Sequence, residues 1–473
     1  MSINHLIEKF EEIPPRRQKQ LLYPTDKILT PFGKKQVIYA DFIASGRPSP
    51  AIEKYIIKNV YSKYSNTHSN AANGICMKNE IEKVKEIIKA EYNVDDKYEV
   101  LFKGSGTTGA INYLINCLDY SQYKDVYVFI SFYEHFSNHI TWVELAKENK
   151  NIKLLIIPLN RKNEIDLSWY DAEVKKIYGR RGRCRGRTLI ITSIIHCSNV
   201  TGYFTPIEDI KKIMDKYGDE KTCKFLFSDL ACSAPYSKID CSIFDAFFVS
   251  PHKFIGGVET PGILVAKTCL FQKDHSLNPG GSCVKKTHYN EIVYSDDIEV
   301  RENAGTPNIV GIIKIGQCIL LKQQLQELIS YNEKILVKIM KKRAANFKKK
   351  YANFRMIEYD DDTRQLPIFS FHLTNLHYNF IVVLLNDLAA IQTRGGRACS
   401  GLFNDYIKDK YGFDGFCRVS LHWSMTKKNI LFIFSMIEFI IKNGEHFSHL
   451  YKYDEKANLF YCKGAPAGAI KSP

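Results

Sequence analysis

The sequence predicts an α/β protein, with a mostly parallel seven-stranded sheet in a large domain and a smaller α+β C-terminal domain. Three observations lead there. Short β-rich runs alternate with segments of helical period through the middle of the chain, the pattern changes near Asn308, and 473 residues suffice for one large core and a second smaller one.

The runs Glu99–Phe102, Val126–Ser131, Lys153–Ile157, Thr188–Ile194, Phe225–Ser228 and Ala246–Ser250 are apolar, short and bounded by polar residues or glycine. Segments of helical period, such as Ile81, Val84, Ile87 and Ile88, lie between several of them, so the strands run parallel under helices on both faces. Thr205-Pro206-Ile207-Glu208 reads as a helix start, with Thr205 as N-cap and Pro206 first in the helix. Gly262–Ala266 follows the sixth strand too soon for a crossover helix and is expected to pair antiparallel.

Beyond Asn308 a long helix is expected to about Lys350, then strands near Phe354–Glu358 and Ile368–Leu373 and a helix near Asn379–Leu388. Strands at Ala390–Thr393 and Phe416–Leu421 and a helix at Lys427–Lys442 complete the pattern. The expected organisation is an extended N-terminal arm over 1–38, a large domain over 39–307, a small domain over 308–462 completed in part by the N-terminal segment, and a loose tail over 463–473.

Composition is that of an ordinary globular protein, 45% hydrophobic and 25% charged, and no run of 18 apolar residues suggests a membrane span. The N-terminus is too charged for a secretory signal and too acidic for a typical transit peptide, so the expected setting is the cytoplasm. Thirteen cysteines are scattered with no C-x-x-C pair, a pattern of reduced thiols rather than of a disulfide framework or a structural zinc site, and no metal is expected. The net charge of +15 is mostly scattered lysine. Its one dense cluster, Gly179 to Arg187, reads first as a solvated loop. A surface for nucleic acid or an acidic partner is the alternative, though no interleaved aromatic residues support RNA binding.

Chemistry concentrates at predicted strand ends. Ser250-Pro251-His252-Lys253 ends one strand, where open α/β sheets place ligands and where a lysine can form a Schiff base. Alone, the motif is weak, because most strand-end lysines are simply solvated. Asp229 ends the preceding strand, as a carboxylate must if it is to keep a pyridinium nitrogen protonated, or as a turn cap does. Gly104-Ser105-Gly106-Thr107-Thr108-Gly109 joins a strand to an apolar helix, whose N-terminal N–H groups favour an anion. It has neither the lysine of a nucleotide P-loop nor the G-x-G-x-x-G spacing. A monophosphate site is therefore the functional reading, and a plain glycine-rich turn the other.

In combination and order, these motifs resemble the class V aminotransferase family of fold-type I enzymes dependent on pyridoxal 5′-phosphate (PLP), especially its cysteine desulfurase branch. The resemblance runs from about Tyr39 to Ile440. It includes Tyr39-Ala40-Asp41-Phe42-Ile43-Ala44-Ser45-Gly46, Glu134-His135 followed by Asn138 and Trp142, and Ser198-Asn199-Val200-Thr201-Gly202. Ala304-Gly305-Thr306-Pro307-Asn308 and Arg394-Gly395-Gly396-Arg397-Ala398-Cys399 belong to it as well.

The resemblance implies that Lys253 carries PLP as a Schiff base and moves protons at the substrate Cα. It implies that Asp229 meets the ring nitrogen, that His135 stacks on the ring, and that Asn199 reaches the ring hydroxyl or the substrate. Gly106, Thr107, Thr108, Ser250 and His252 would hold the phosphate. Thr306 would reach the phosphate of a second subunit in a homodimer. Arg418 and His68 would bind substrate, with Arg418 clamping its carboxylate in the manner of a bidentate guanidinium. One departure stands out: Cys232 occupies the place where desulfurases usually carry glutamine.

Cys399 then discriminates among PLP reactions. In desulfurases a loop cysteine takes sulfur from PLP-bound L-cysteine as a persulfide and alanine leaves. The attacking species is the thiolate, which neighbouring cations favour, and Arg394 and Arg397 are the nearest in sequence. An aminotransferase, an epimerase or a lyase acting on another small amino acid is the alternative. An alternative of another class is a non-catalytic PLP-fold protein that binds partners through the 180–187 loop. A sulfur-acceptor protein would be a further partner of a desulfurase.

Overall fold

The computed structural model describes residues 2–179, 186–289, 291–360 and 363–464. The chain begins with α1 (Ile3–Lys9), α2 (Pro15–Leu21), β1 (Lys27–Thr30), β2 (Gly33–Gln36) and β3 (Ile38–Tyr39). Residues 2–38 are therefore not one extended arm. Ser2 caps α1 by accepting from the His5 N–H, Pro15 opens α2, and Leu6, Ile7 and Phe10 are buried. An amphipathic stripe only three residues wide was too short to register as a helix in the sequence.

Next come α3 (Pro50–Asn59), α4 (Ala72–Tyr92), β4 (Tyr98–Lys103), α5 (Gly106–Cys117), β5 (Asp125–Ser131), α6 (Phe136–Glu148) and β6 (Ile152–Ile157). They are followed by α7 (Leu167–Gly179), β7 (Thr188–Ile195), α8 (Ile207–Lys216), β8 (Thr222–Asp229), β9 (Ala246–Val249) and β10 (Gly262–Lys267). The hairpin β11 (Val284–His288) and β12 (Glu291–Tyr294) and the short α9 (Ile298–Glu302) lead into α10 (Ile309–Lys350). The remaining elements are β13 (Phe354–Met356), β14 (Ile368–Leu373), α11 (Tyr378–Ala389), β15 (Ile391–Gln392), β16 (Arg394–Gly396), α12 (Gly401–Tyr411), β17 (Phe416–Ser420), α13 (Lys427–Asn443) and the hairpin β18 (Tyr451–Asp454) and β19 (Leu459–Cys462).

The chain divides into two compact units: 46–197 with 205–326, and 1–45 with 198–204 and 327–473. The larger unit is built on a seven-stranded sheet of order β4-β10-β9-β8-β7-β5-β6. Neighbouring strands run parallel except β10, which pairs antiparallel with both β4 and β9, as its short connection requires. All eight residues of β7 are buried, as expected of a central strand covered on both faces. Helix α5 packs on β9 and β10, and α6 on β5, β6 and β7. Helix α8 starts at Ile207 with Pro206 as its cap residue, because the Thr205 hydroxyl donates to the Ile195 carbonyl (2.6 Å) instead of capping the helix.

The smaller unit carries the antiparallel sheet β13-β14-β17-β16, packed with α11, α13 and the N-terminal helices around Phe10, Phe369, Phe371, Leu384 and Phe434. β15 does not join that sheet. It pairs parallel with β3, and the Ser420 N–H donates to the Ala40 carbonyl (2.8 Å), so the segment around Ala40 is fastened to the end of β17. Among the described residues no helix is long and apolar enough to cross a membrane. The expected tail beyond Gly464 and residues 180–185 of the arginine-rich cluster lie outside the described residues. Arg187 is described: its guanidinium donates to Gln122 Oε1 (3.1 Å) and lies over the Tyr123 ring.

Candidate active site

In the larger unit, parallel pairing of β8 with β9 brings Asp229 and the segment leading to Ser250 to the same sheet edge, with Asp229 opposite Phe248. After Val249 the chain tightens into a single 3₁₀ turn, Pro251–Lys253, in which the Lys253 N–H donates to the Ser250 carbonyl (3.1 Å). Asp229 is 1% exposed. Burial pushes its pKa up. The Ala231 N–H (2.9 Å), the positive charge of Lys253 and the Thr107 hydroxyl pull it back down. Asp229 and Lys253 therefore feel each other electrostatically, as the sequence motifs alone did not establish.

The glycine-rich turn lies beside them. Gly106 has φ +58°, and a Cβ there would meet Ser250 Oγ at 2.6 Å and His252 Cδ2 at 3.5 Å. The Ser250 hydroxyl thus crowds a position whose left-handed backbone also favours glycine. Ser250 Oγ accepts from the Thr107 N–H (2.8 Å) at the first turn of α5, whose N-cap Ser105 makes no side-chain capping bond. Burial, with the charge of Lys253 adding, lowers the His252 pKa to about 4, so this imidazole is neutral near pH 7.

His135 is the N-cap of α6. Its Nδ1 accepts from the Ser137 N–H (3.2 Å), which places the neutral ring's proton on Nε2. The Ser137 hydroxyl in turn meets both His135 Nδ1 (2.9 Å) and Thr108 Oγ1 (2.6 Å). Ser137, to which sequence reasoning assigned nothing, therefore links the expected ring-stacking histidine to the glycine-rich turn. Glu134 was also left without a role. It is fully buried and accepts from the Ser131 hydroxyl (2.6 Å), the Asn138 amide (2.7 Å) and the Ile195 N–H (2.9 Å), while burial raises its pKa to about 7.

His68 and Thr306 lie elsewhere in the same unit. His68 contacts the Gly305 carbonyl (3.3 Å) and the Ser282 hydroxyl, and Thr306 Oγ1 accepts from Asn66 Nδ2 (3.0 Å). Both line an open cavity of about 1530 Å³ whose wall includes Gly106 and His252. Cys232, the departure from the desulfurase pattern, is 1% exposed.

The smaller unit holds Asn199, Arg418 and Cys399. Arg418, on β17 and 3% exposed, donates through Nη1 to the Asn199 carbonyl (2.9 Å) and through Nη2 to Asp41 Oδ1 (2.9 Å), while its buried Nε has no partner among the described residues. Asn199 Nδ2 donates to the Ala398 carbonyl (2.6 Å), and its buried Oδ1 likewise has no partner among the described residues. Cys399 and Cys269 are the exposed cysteines among the described residues. Ala398 and Cys399 both take left-handed backbone angles, φ +48° and +57°. Arg394 and Arg397, the cations nearest Cys399 in sequence, both meet carboxylates. Arg394 pairs with Asp41 (3.2 Å), and Arg397 pairs through Nε and Nη2 with Asp414 (3.0 Å each) and through Nη1 with Asp405 (3.4 Å). Carboxylates satisfy both guanidiniums first, which their spacing in sequence could not reveal.

The aminotransferase class-V family model matches residues 38–432. Over 412 residues the chain is 29% identical to a probable cysteine desulfurase from Borreliella burgdorferi, covering 84% of this chain and 90% of that one. A cysteine desulfurase from Wigglesworthia glossinidia brevipalpis is 27% identical over 416 residues, with coverages of 84% and 93%. Among solved structures, the cysteine desulfurase of Thermococcus onnurineus NA1 superposes with a TM-score of 0.73 at 20% identity, covering 86% of this chain and 95% of that one. The cysteine desulfurase CsdA of Escherichia coli gives 0.70 at 19% identity, covering 93% and 99%. The fold is the expected fold-type I architecture of PLP-dependent transferases. With the family match spanning most of its length, the chain belongs to the aminotransferase class-V family.

Proposed function

We propose that the protein is a PLP-dependent cysteine desulfurase, which releases L-alanine from L-cysteine and takes the sulfur onto Cys399 as a persulfide. The observation that carries the reaction is Cys399 itself. It is an exposed thiol on a left-handed turn whose preceding carbonyl is held by Asn199.

The residues present fit the cofactor. The Gly106 position, the Ser250 hydroxyl and the uncapped start of α5 suit a monophosphate, and the buried Asp229 suits a protonated ring nitrogen. Gly106, Thr107, Thr108, Ser250 and His252 would hold the phosphate, Asp229 the ring nitrogen, His135 the ring face and Lys253 the aldehyde carbon. When bound, PLP supplies an electron sink for charge developing at the substrate Cα.

The chain's own groups do the rest. Arg418 binds the substrate carboxylate, with His68 and Asn199 as further substrate contacts. Lys253 takes and returns the proton at Cα. The Cys399 thiolate attacks the substrate sulfur: an S–S bond forms, the C–S bond breaks with its electron pair left on Cβ, and a proton completes the methyl group of alanine. The reading carries with it a cytoplasmic setting, a sulfur-acceptor protein and a homodimer in which Thr306 reaches the other subunit's phosphate. The last is supported by the exposure of Thr306 on the wall of the cavity that Gly106 also lines.

The test is incubation of purified protein with L-cysteine, with alanine and sulfide measured. Alanine is expected from the parent, and Cys399→Ala is expected to lose sulfide release. A variant releasing as much sulfide as the parent removes Cys399 as the carrier. A parent that forms no alanine sinks the desulfurase reading.

A further inference from the structure

Arg394 and Arg418 are direct cross-strand partners in the antiparallel pair β16–β17. Two guanidiniums so placed repel each other unless an anion intervenes. Asp41 is that anion: Oδ1 accepts from Arg418 Nη2 (2.9 Å) and Oδ2 from Arg394 Nε (3.2 Å). The carboxylate is held from outside the sheet. The Ala44 N–H donates to the Asp41 carbonyl (3.0 Å), and the turn is anchored to β17 by the Ser420 N–H on the Ala40 carbonyl (2.8 Å).

A purely structural ion pair would satisfy the buried guanidinium. This one does not, because among the described residues Arg418 Nε has no hydrogen-bond partner although the residue is only 3% exposed. A buried, unpaired, charged donor is costly, and an incoming carboxylate relieves that cost. The cluster of two guanidiniums and one carboxylate carries a net charge of one, which matches a single carboxylate on the ligand.

We propose that Asp41 is a positioning and specificity residue, which cancels one of the two arginine charges so that the site prefers an amino acid with one carboxylate over one with a second acidic group. The assignment rests on the desulfurase reading for the identity of the substrate, while the charge match stands on the cluster itself. Replacing Asp41 with asparagine keeps the shape and leaves two uncompensated guanidiniums, so a dianion gains more than a monoanion.

The experiment compares the parent, Asp41→Asn and Asp41→Glu by titration calorimetry with succinate and with propionate. L-cysteine and L-cysteine sulfinic acid are compared in turnover assays. In Asp41→Asn, succinate is expected to bind at least about tenfold tighter while propionate changes less than about threefold. The cysteine preference in kcat/KM is expected to fall at least about tenfold, mainly through KM for the acidic substrate. Asp41→Glu, which keeps the charge, should retain the parental preference.

An unchanged succinate-to-propionate ratio in Asp41→Asn overturns the proposal, as does a shift in Asp41→Glu as large as that in Asp41→Asn. Should Asp41→Asn fail to fold, Arg394→Gln decides instead. Both carboxylates should then weaken at least about tenfold, and unchanged affinities overturn the assignment. A parent that makes no alanine from cysteine refutes the desulfurase reading alone, since the calorimetric arm still judges the charge match.

Discussion

Asn199 holds the peptide immediately before Cys399: its side-chain amide donates to the Ala398 carbonyl at 2.6 Å, while its own carbonyl accepts from Arg418 at 2.9 Å. One residue thereby ties the arginine proposed to bind the carboxylate to the loop bearing the proposed sulfur carrier.

Asn199→Ala should therefore loosen that loop. Left-handed angles at two successive non-glycine residues cost roughly 1–2 kcal/mol each, so the turn depends on its external bonds. Other ties include those from Asn404 Nδ2 to the carbonyls of Arg397 and Ser400, both 2.7 Å, and the Arg397 pairs with Asp414 and Asp405. Urea unfolding is expected to show a loss of about 1–2 kcal/mol. Persulfide on Cys399, read by mass spectrometry after L-cysteine treatment, should fall by about tenfold, the change a 1.4 kcal/mol loss produces.

Gly106→Ala should weaken cofactor binding. An alanine at φ +58° is strained by about 1–2 kcal/mol, and its Cβ would lie 2.6 Å from the Ser250 oxygen that accepts from the Thr107 N–H. The dissociation constant for PLP, followed by the visible absorption of the bound cofactor, is expected to rise at least about tenfold. An unaltered constant would remove this turn from the phosphate site.

Stability should fall on acidification through buried histidine. His422 stacks on Phe42 at 3.8 Å and accepts from the Ser424 N–H (3.2 Å), and burial drops its pKa from 6.5 to about 3. The unfolded chain thus binds a proton below about pH 6.5 that the folded chain refuses until about pH 3. The contribution of this group is present above pH 6.5 and declines as the pH falls through that window. One proton corresponds to a slope of at most about 1.4 kcal/mol per pH unit. Glu134, raised to about 7, acts in the opposite sense, its contribution declining as the pH rises from 4.5 to 7. Urea titrations at pH 7, 6 and 5 should isolate the histidine. The slope in His422→Asn, whose amide oxygen can replace Nδ1 as acceptor, should be flatter than in the parent.

The large sheet was legible in the sequence because its strands are apolar throughout and bounded by polar residues. Even the reversed direction of β10 followed from the shortness of its connection. Helix α12 and the hairpins β1–β2 and β18–β19 were not anticipated. Val-poor segments such as Gly33–Gln36, with three polar residues in four, have no strand periodicity, and pairing with a neighbour supplies what composition does not. At the site, the residue types and their order pointed to a phosphate turn, a buried acid and a lysine. Asp41 stayed silent because its partners are distant in sequence. Arg394 and Arg418 come to it only once β3 has paired with β15 and β16 with β17. Thr205 failed as a cap for a related reason, since a strand carbonyl competes for its hydroxyl.

The reversed strand β10 also sets an order of assembly. β4, which leads into the proposed phosphate turn, is an edge strand whose sheet partner is β10, with Tyr98 opposite Lys267 and Lys103 opposite Gly262. On a ribosome β4 emerges long before that partner exists, while the parallel strands β5 to β8 can already pair among themselves. The turn proposed to bind the phosphate is therefore among the last parts of the sheet to be secured. A nascent chain halted before Gly262 should carry the parallel strands β5 to β9 of the large sheet and lack the strand that secures the proposed phosphate turn.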